Sequence, residues 1–163
     1  MTAILPSITS NVKQALAISL LILLCHSAAC QQVSHQTGTL AITFTQIQST
    51  EGRIRLALYN REDQWTDNPA YHFDWTKENV VNGRLTVMLD SLPRATYACA
   101  VLDDINNSGD MEYLLGLPKE GWGMSTNPSF LKLKKPGFRD VCFDLDAPVL
   151  RFEIQIYYLG KRR

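Results

Sequence analysis

The sequence has little of what usually marks catalysis. After residue 30 it holds only two histidines, His35 and His72, and two cysteines, Cys99 and Cys142. No G-x-S-x-G, H-E-x-x-H or glycine-rich phosphate loop occurs, so the common nucleophilic, metalloprotease and nucleotide chemistries have no motif to rest on. There is no C-x-x-C pair, which speaks against a zinc or dithiol centre. Neither sign of charge is in excess. All 16 acids and 15 of the 16 lysines and arginines lie after residue 30, so no basic face is offered and nucleic acid is not expected as a partner. No apolar run reaches the roughly 20 residues of a membrane-spanning helix. Internal repeats and long helical periodicity are also missing.

What is present begins with a leader. Residues 15–25 form an apolar run of signal-peptide length, and Ser27-Ala28-Ala29 puts small residues at the −3 and −1 positions of a cleavage site. Residues 1–29 are read as a signal peptide, which makes the protein an exported one. Cys30 follows two alanines directly and resembles a relaxed bacterial lipobox, with Ser27 where leucine is usual. Lipidation at Cys30 and plain secretion after Ala29 therefore stand as alternatives. Acyl chains at Cys30 would tether the domain to a membrane without a spanning helix. The expected address is the periplasm, the outer membrane as a lipoprotein, or the outside of the cell. Residues 30–38 read as a short linker, 39–159 as the domain and 160–163 as a basic tail.

Strand signals dominate the domain. Residues 39–46 alternate, with Leu40, Ile42 and Phe44 on one face, and residues 53–59 place Ile54, Leu56 and Leu58 inward. Thr50-Glu51-Gly52 between them reads as a turn, which predicts a hairpin. Residues 61–79 read as a polar, aromatic-rich connection. Asn82-Gly83 suits a type I′ turn between Val80-Val81 and a strand over 84–89. Residues 96–102 alternate again, and their alanines predict close packing against another layer. Strands over 140–145 and 150–159 finish the chain. About seven short strands without crossover helices predict an all-β fold, a single antiparallel sandwich. Cys99 and Cys142 lie in strand-like runs. An oxidising compartment allows a bridge between them, and two buried free thiols are the alternative.

One long segment, 103–129, carries the most chemistry. Asp104, Asn106, Ser108, Asp110 and Glu112 occupy positions 1, 3, 5, 7 and 9 of an EF-hand-like loop, with Gly109 at position 6. Alternate oxygen donors around a sharp glycine turn suit calcium. Position 12 is Leu115, so Glu120 or Asp103 would have to supply the missing carboxylate. The competing reading is a polar turn that hydrogen-bonds its own backbone. Further on, glycines flank Trp122 and let the backbone bend around its ring.

Three elements together resemble a bacterial family: Leu92-Pro93 with Tyr97-Ala98, the loop Asp104-x-Asn106-x-x-Gly109, and Gly116-x-Pro118-Lys119-Glu120-Gly121-x-Gly123-x-Ser125. The chain resembles the domain of unknown function 2141 family over nearly all of 39–158. That family usually has His-Asp-Glu-Asn where this chain has Asp103-Asp104-Ile105-Asn106. The resemblance implies a small exported protein with a transthyretin-like or immunoglobulin-like sandwich, and it implies no reaction.

For function, the expectation is a non-catalytic envelope or surface module that supports or binds an unknown protein or glycan, with a calcium-stabilised loop. A rival is a carbohydrate-binding module that stacks sugars on Trp65, Tyr71, Trp75 or Trp122. A third is a weak hydrolase of unknown substrate, built on acid pairs such as Asp103/Asp104 or Asp144/Asp146.

Overall fold

Hydrophobic alternation at period two builds two sheets that face each other across one core. The computed structural model describes residues 36–128 and 135–159. The signal peptide, Cys30, most of the linker and the basic tail lie outside the described residues.

The first sheet has the order β10-β1-β4, from β1 (Thr37–Thr45), β4 (Leu85–Pro93) and β10 (Val149–Gln155). The second has the order β3-β2-β5-β8, from β2 (Arg53–Tyr59), β3 (Tyr71–Thr76), β5 (Thr96–Asp104) and β8 (Gly121–Met124). Short β9 (Phe143–Asp144) adds to the start of β5. A small separate hairpin joins β6 (Tyr113–Leu114) to β7 (Leu117–Pro118). All pairings are antiparallel except β1 with β10. These two strands sit at opposite ends of the domain, so the rest of the sandwich serves as their crossover and no βαβ helix is needed.

Leu40, Ile42 and Phe44 of β1 meet Ile54, Leu56 and Leu58 of β2 and Tyr97, Cys99 and Val101 of β5 in one buried cluster. Each fully buried aliphatic side chain of this kind contributes about 1.5–3 kcal/mol. Tyr71, Phe73 and Trp75 of β3 pack onto the same cluster as a stacked ladder, with ring centroids 6.3 and 5.9 Å apart.

Several expectations change. Residues 39–46 and 53–59 do not form a hairpin: β1 and β2 belong to opposite sheets. The connection between them turns at Gln46 (φ 65°) and buries Ile47, whose N–H donates to the Gly83 carbonyl at 3.0 Å. It is a bridge between layers. The stretch 61–79, read as a connection, contains β3. The expected strand over 140–145 is instead one helical turn, α1 (Phe138–Val141), followed by β9. Asp140 accepts the Gly137 N–H at 2.8 Å and starts that turn. The Asn82-Gly83 turn is as expected: both residues have positive φ and Val81 and Arg84 exchange two backbone hydrogen bonds of 3.0 Å. Among the described residues, no helix is long and apolar enough to cross a membrane.

Cys99 and Cys142 are both free. The bridge expected as one alternative does not form, because the two side chains lie on opposite sides of the second sheet. Cys99 faces the sandwich core, and Cys142 packs with the outer cluster of Tyr59, Ala98, Phe138 and Val141. Burial pushes the Cys99 thiol up, so it remains protonated and unreactive.

Candidate functional site

The outer face of the second sheet is partly covered and partly open. β2 and β5 send Tyr59 and Ala98 outward beneath α1, where Phe138 and Val141 seal them. Trp65 closes that patch edge-on to Tyr59 and donates its indole N–H to the Pro136 carbonyl at 2.9 Å. One step along the strands the cover ends. Ala57 and Ala100, partners across β2 and β5, leave a low floor because neither has more than a methyl group. Ala98 thus meets the expectation of close packing, whereas Ala100 lines open space.

Over that floor lies a groove of about 730 Å³. Trp122 and Met124 of β8 form one part of its wall, and Met111, Tyr113 and Leu117 of the β6–β7 hairpin form another. Lys135 and Pro136 approach from the far side, and His72 and Asp74 of β3 stand at the edge of the floor. The lining is more apolar than polar. The hairpin lip is exposed and greasy: Leu115 is 95% exposed, with Tyr113 and Leu114 beside it. Contiguous exposed apolar surface of this kind marks interaction sites more often than solvent-facing decoration.

The polar loop 104–112 buttresses the groove. Asp104 is fully buried. Its carboxylate accepts Arg55 Nε–H at 2.6 Å, the Ser108 N–H at 2.9 Å and the Gly109 N–H at 3.0 Å. Asn106 Oδ1 also accepts the Ser108 N–H, at 3.0 Å, and the Ser108 hydroxyl donates to the Asp110 carbonyl at 3.0 Å. Glu112 pairs with Lys119 and accepts from the Asn106 amide. That contact with Lys119 holds the Glu112 carboxyl below its ordinary range. Glu120 is buried and turns one oxygen to the Ile105 N–H, at 3.1 Å.

The six candidate calcium ligands therefore do not converge. Asp104, Asn106 and Ser108 spend their oxygens on the turn itself, Glu112 is drawn to Lys119, and Glu120 serves Ile105. Among the described residues, no three His, Cys, Asp or Glu side chains form a metal-binding group. The residues do not fit calcium, since the Arg55 guanidinium already occupies the carboxylate that would anchor it. The polar-turn reading accounts for the same spacing through alternate side chains folded back on backbone N–H groups.

The aromatic candidates also separate. Tyr71 and Trp75 belong to the inner ladder against the core, and Trp65 is used in packing beside α1. Trp122 alone of the four lines the groove. The glycines around it have a different cause from the bend expected. A Cβ on Gly121 would come within 2.3 Å of the Tyr158 ring, and one on Gly123 within 2.7 Å of the Gln155 carbonyl oxygen. Both glycines let the C-terminal segment approach β8. Ser125 completes this clamp, donating to the Val141 carbonyl at 2.6 Å and accepting the Cys99 N–H at 2.9 Å. The motif 116–125 is thus largely architectural. Sequence reasoning missed Arg55, whose outward position opposite Asp104 becomes meaningful only once β2 and β5 are known to pair. It also missed the Ala57–Ala100 floor.

No curated protein and no solved structure matches the chain. A family model does, over residues 42–152. On that match, which spans most of the domain and both sheets, the chain belongs to the family described as uncharacterized protein conserved in bacteria, DUF2141.

Proposed function

We propose that this protein is an exported, non-catalytic binding module whose ligand lies in the groove on the outer face of the β3-β2-β5-β8 sheet. The observation that carries the reading is the alanine floor beneath Trp122, Met124 and the apolar hairpin lip. Together they form a concave, mainly apolar cleft of about 730 Å³, within the size range of small-molecule sites. The ligand class that suits it is a largely apolar molecule or peptide segment with a polar end directed at Arg55, His72 and Asp74. A catalytic reading has less support. Among the described residues, the groove lining includes one histidine, no serine and no cysteine. The export signal read over 1–29 supplies the envelope setting.

The test is titration with anilinonaphthalene sulfonate, followed by dye and tryptophan fluorescence. Saturable binding to the wild type, lost in Ala100→Phe with an unchanged melting temperature, is expected. Equal binding by that variant would overturn the groove as the site. The carbohydrate reading retains one specific support, Trp122 in the groove wall. A glycan array separates it: sugar binding lost in Trp122→Ala would replace the apolar ligand with a glycan.

A further inference from the structure

A second feature, independent of the groove, lies inside the sandwich. Lys77 follows directly on β3 in step with Tyr71, Phe73 and Trp75, so it points to the inner face. Asp103 lies near the end of β5 in step with Tyr97, Cys99 and Val101, and it faces the same way. One strand, β2, runs between them: Arg53 partners Thr76 on one side and Asp104 on the other. The Lys77 and Asp103 side chains meet across that strand, and both have 0% exposure. Lys77 Nζ touches Asp103 Oδ1 and also donates to the Glu51 carbonyl at 2.6 Å. The Tyr158 hydroxyl donates to the other oxygen, Oδ2. The carboxyl carbon is therefore held between an amine on one side and an O–H donor on the other.

An ion pair in this place is costly. Removing each charge from water carries a penalty of several kcal/mol, and attraction within the pair offsets it only in part. Condensation to an amide removes both charges. Holding amine and carboxyl in contact also replaces a bimolecular encounter with an effective concentration of about 10⁵–10⁸ M for well-oriented groups. Burial favours the amide further, because the water it releases has no buried place to return to.

We propose that Lys77 and Asp103 form an intramolecular isopeptide bond that ties the end of β3 to the end of β5. A proton first passes from the Lys77 ammonium to Asp103 Oδ1, leaving a neutral amine and a carboxylic acid. The Nζ lone pair then attacks Cγ, and the Tyr158 O–H stabilises the charge that builds on Oδ2. The Nζ–Cγ bond forms and the Cγ–Oδ1 bond breaks. Oδ1 leaves as water with two protons, both originally on Nζ, and one N–H remains on the amide. No oxidant, reductant or further reactant is required.

Peptide mapping of the purified full chain tests this. Trypsin should fail to cut after Lys77 and should release segment 62–84 joined to segment 95–119, lighter than their sum by one water. Lys77→Arg and Asp103→Ala should yield only separate peptides. Asp103→Asn should still cross-link, losing ammonia instead of water. Tyr158→Phe should slow bond formation by about a hundredfold, the usual effect of removing one oxyanion donor. Separate, unmodified Lys77 and Asp103 peptides from folded wild-type protein would overturn the proposal and leave a buried ion pair.

Discussion

Tyr97 shows how one side chain fixes the geometry of a strand entrance. Its ring is buried in the core, and its hydroxyl donates to the Pro93 carbonyl at 2.8 Å. The Leu92-Pro93 and Tyr97-Ala98 elements of the sequence are therefore two ends of one corner, of the kind seen in other sandwiches. Tyr97→Phe removes the donor and leaves the carbonyl unpaired, at a cost of about 1 kcal/mol readable by urea unfolding. The phenols also set an alkaline limit. Burial, with a smaller contribution from Asp67, pushes Tyr59 up to about 12, and burial with Tyr71 does the same for Tyr97. An unfolded tyrosine ionises near pH 10. Below about pH 10 both phenols are neutral in either state and their contribution is complete. Above it the unfolded chain loses its protons first, so stability falls as the pH rises from about 10 through about 12. Melting temperatures across that range should show the decline, and it should be shallower in Tyr97→Phe. Asp104 is the other residue with disproportionate weight. Asp104→Ala strands Arg55 and two backbone N–H groups, for a loss of about 2–3 kcal/mol. Calcium should leave the wild-type melting temperature unchanged, whereas a rise with added calcium would signal a bound ion.

At the scale of elements, β8 concentrates the constraints. Its inner positions are Gly121 and Gly123, against which the C-terminal segment closes. Gly123→Ala meets the Gln155 backbone, which has no rotamer to yield, and should destabilise the fold by about 1–3 kcal/mol. Gly121→Ala meets the Tyr158 ring and should cost a similar amount. Thermal unfolding of the two variants checks both. The glycines also explain why this strand was illegible in the sequence: with no side chain on its inner face, β8 has no apolar alternation to read. By contrast β1, β2, β4, β5 and β10 were legible, because each carries large aliphatic residues at every second position. β3 carries the same alternation as Tyr71, Phe73 and Trp75, but the polar residues on either side made the stretch read as a connection. The wrong hairpin has another origin. Thr50-Glu51-Gly52 is a good local turn, and nothing local tells whether a turn returns the chain to its own sheet or sends it across the core. The oxygen-rich spacing of 104–112 was likewise real, but only the pairing of β2 with β5 reveals that Arg55 stands where a cation would sit.

For the whole molecule, the sandwich offers two unlike surfaces. Residues of β1, β4 and β10 that face away from the core carry polar pairs such as Thr43–Thr86 and Arg84–Glu153. The opposite sheet carries a second small core under α1 and, beside it, the groove. A sheet that needed only to be soluble would not place Ala57 and Ala100 beneath Trp122, Met124 and an exposed Leu115. The groove is central to any function read from this structure, and chemical-shift mapping with anilinonaphthalene sulfonate on isotope-labelled protein tests it most directly. Shifts confined to Ala57, Ala100, Met124 and the Trp122 indole are the expected result. Shifts confined to β1, β4 and β10, with the groove residues silent, would contradict it.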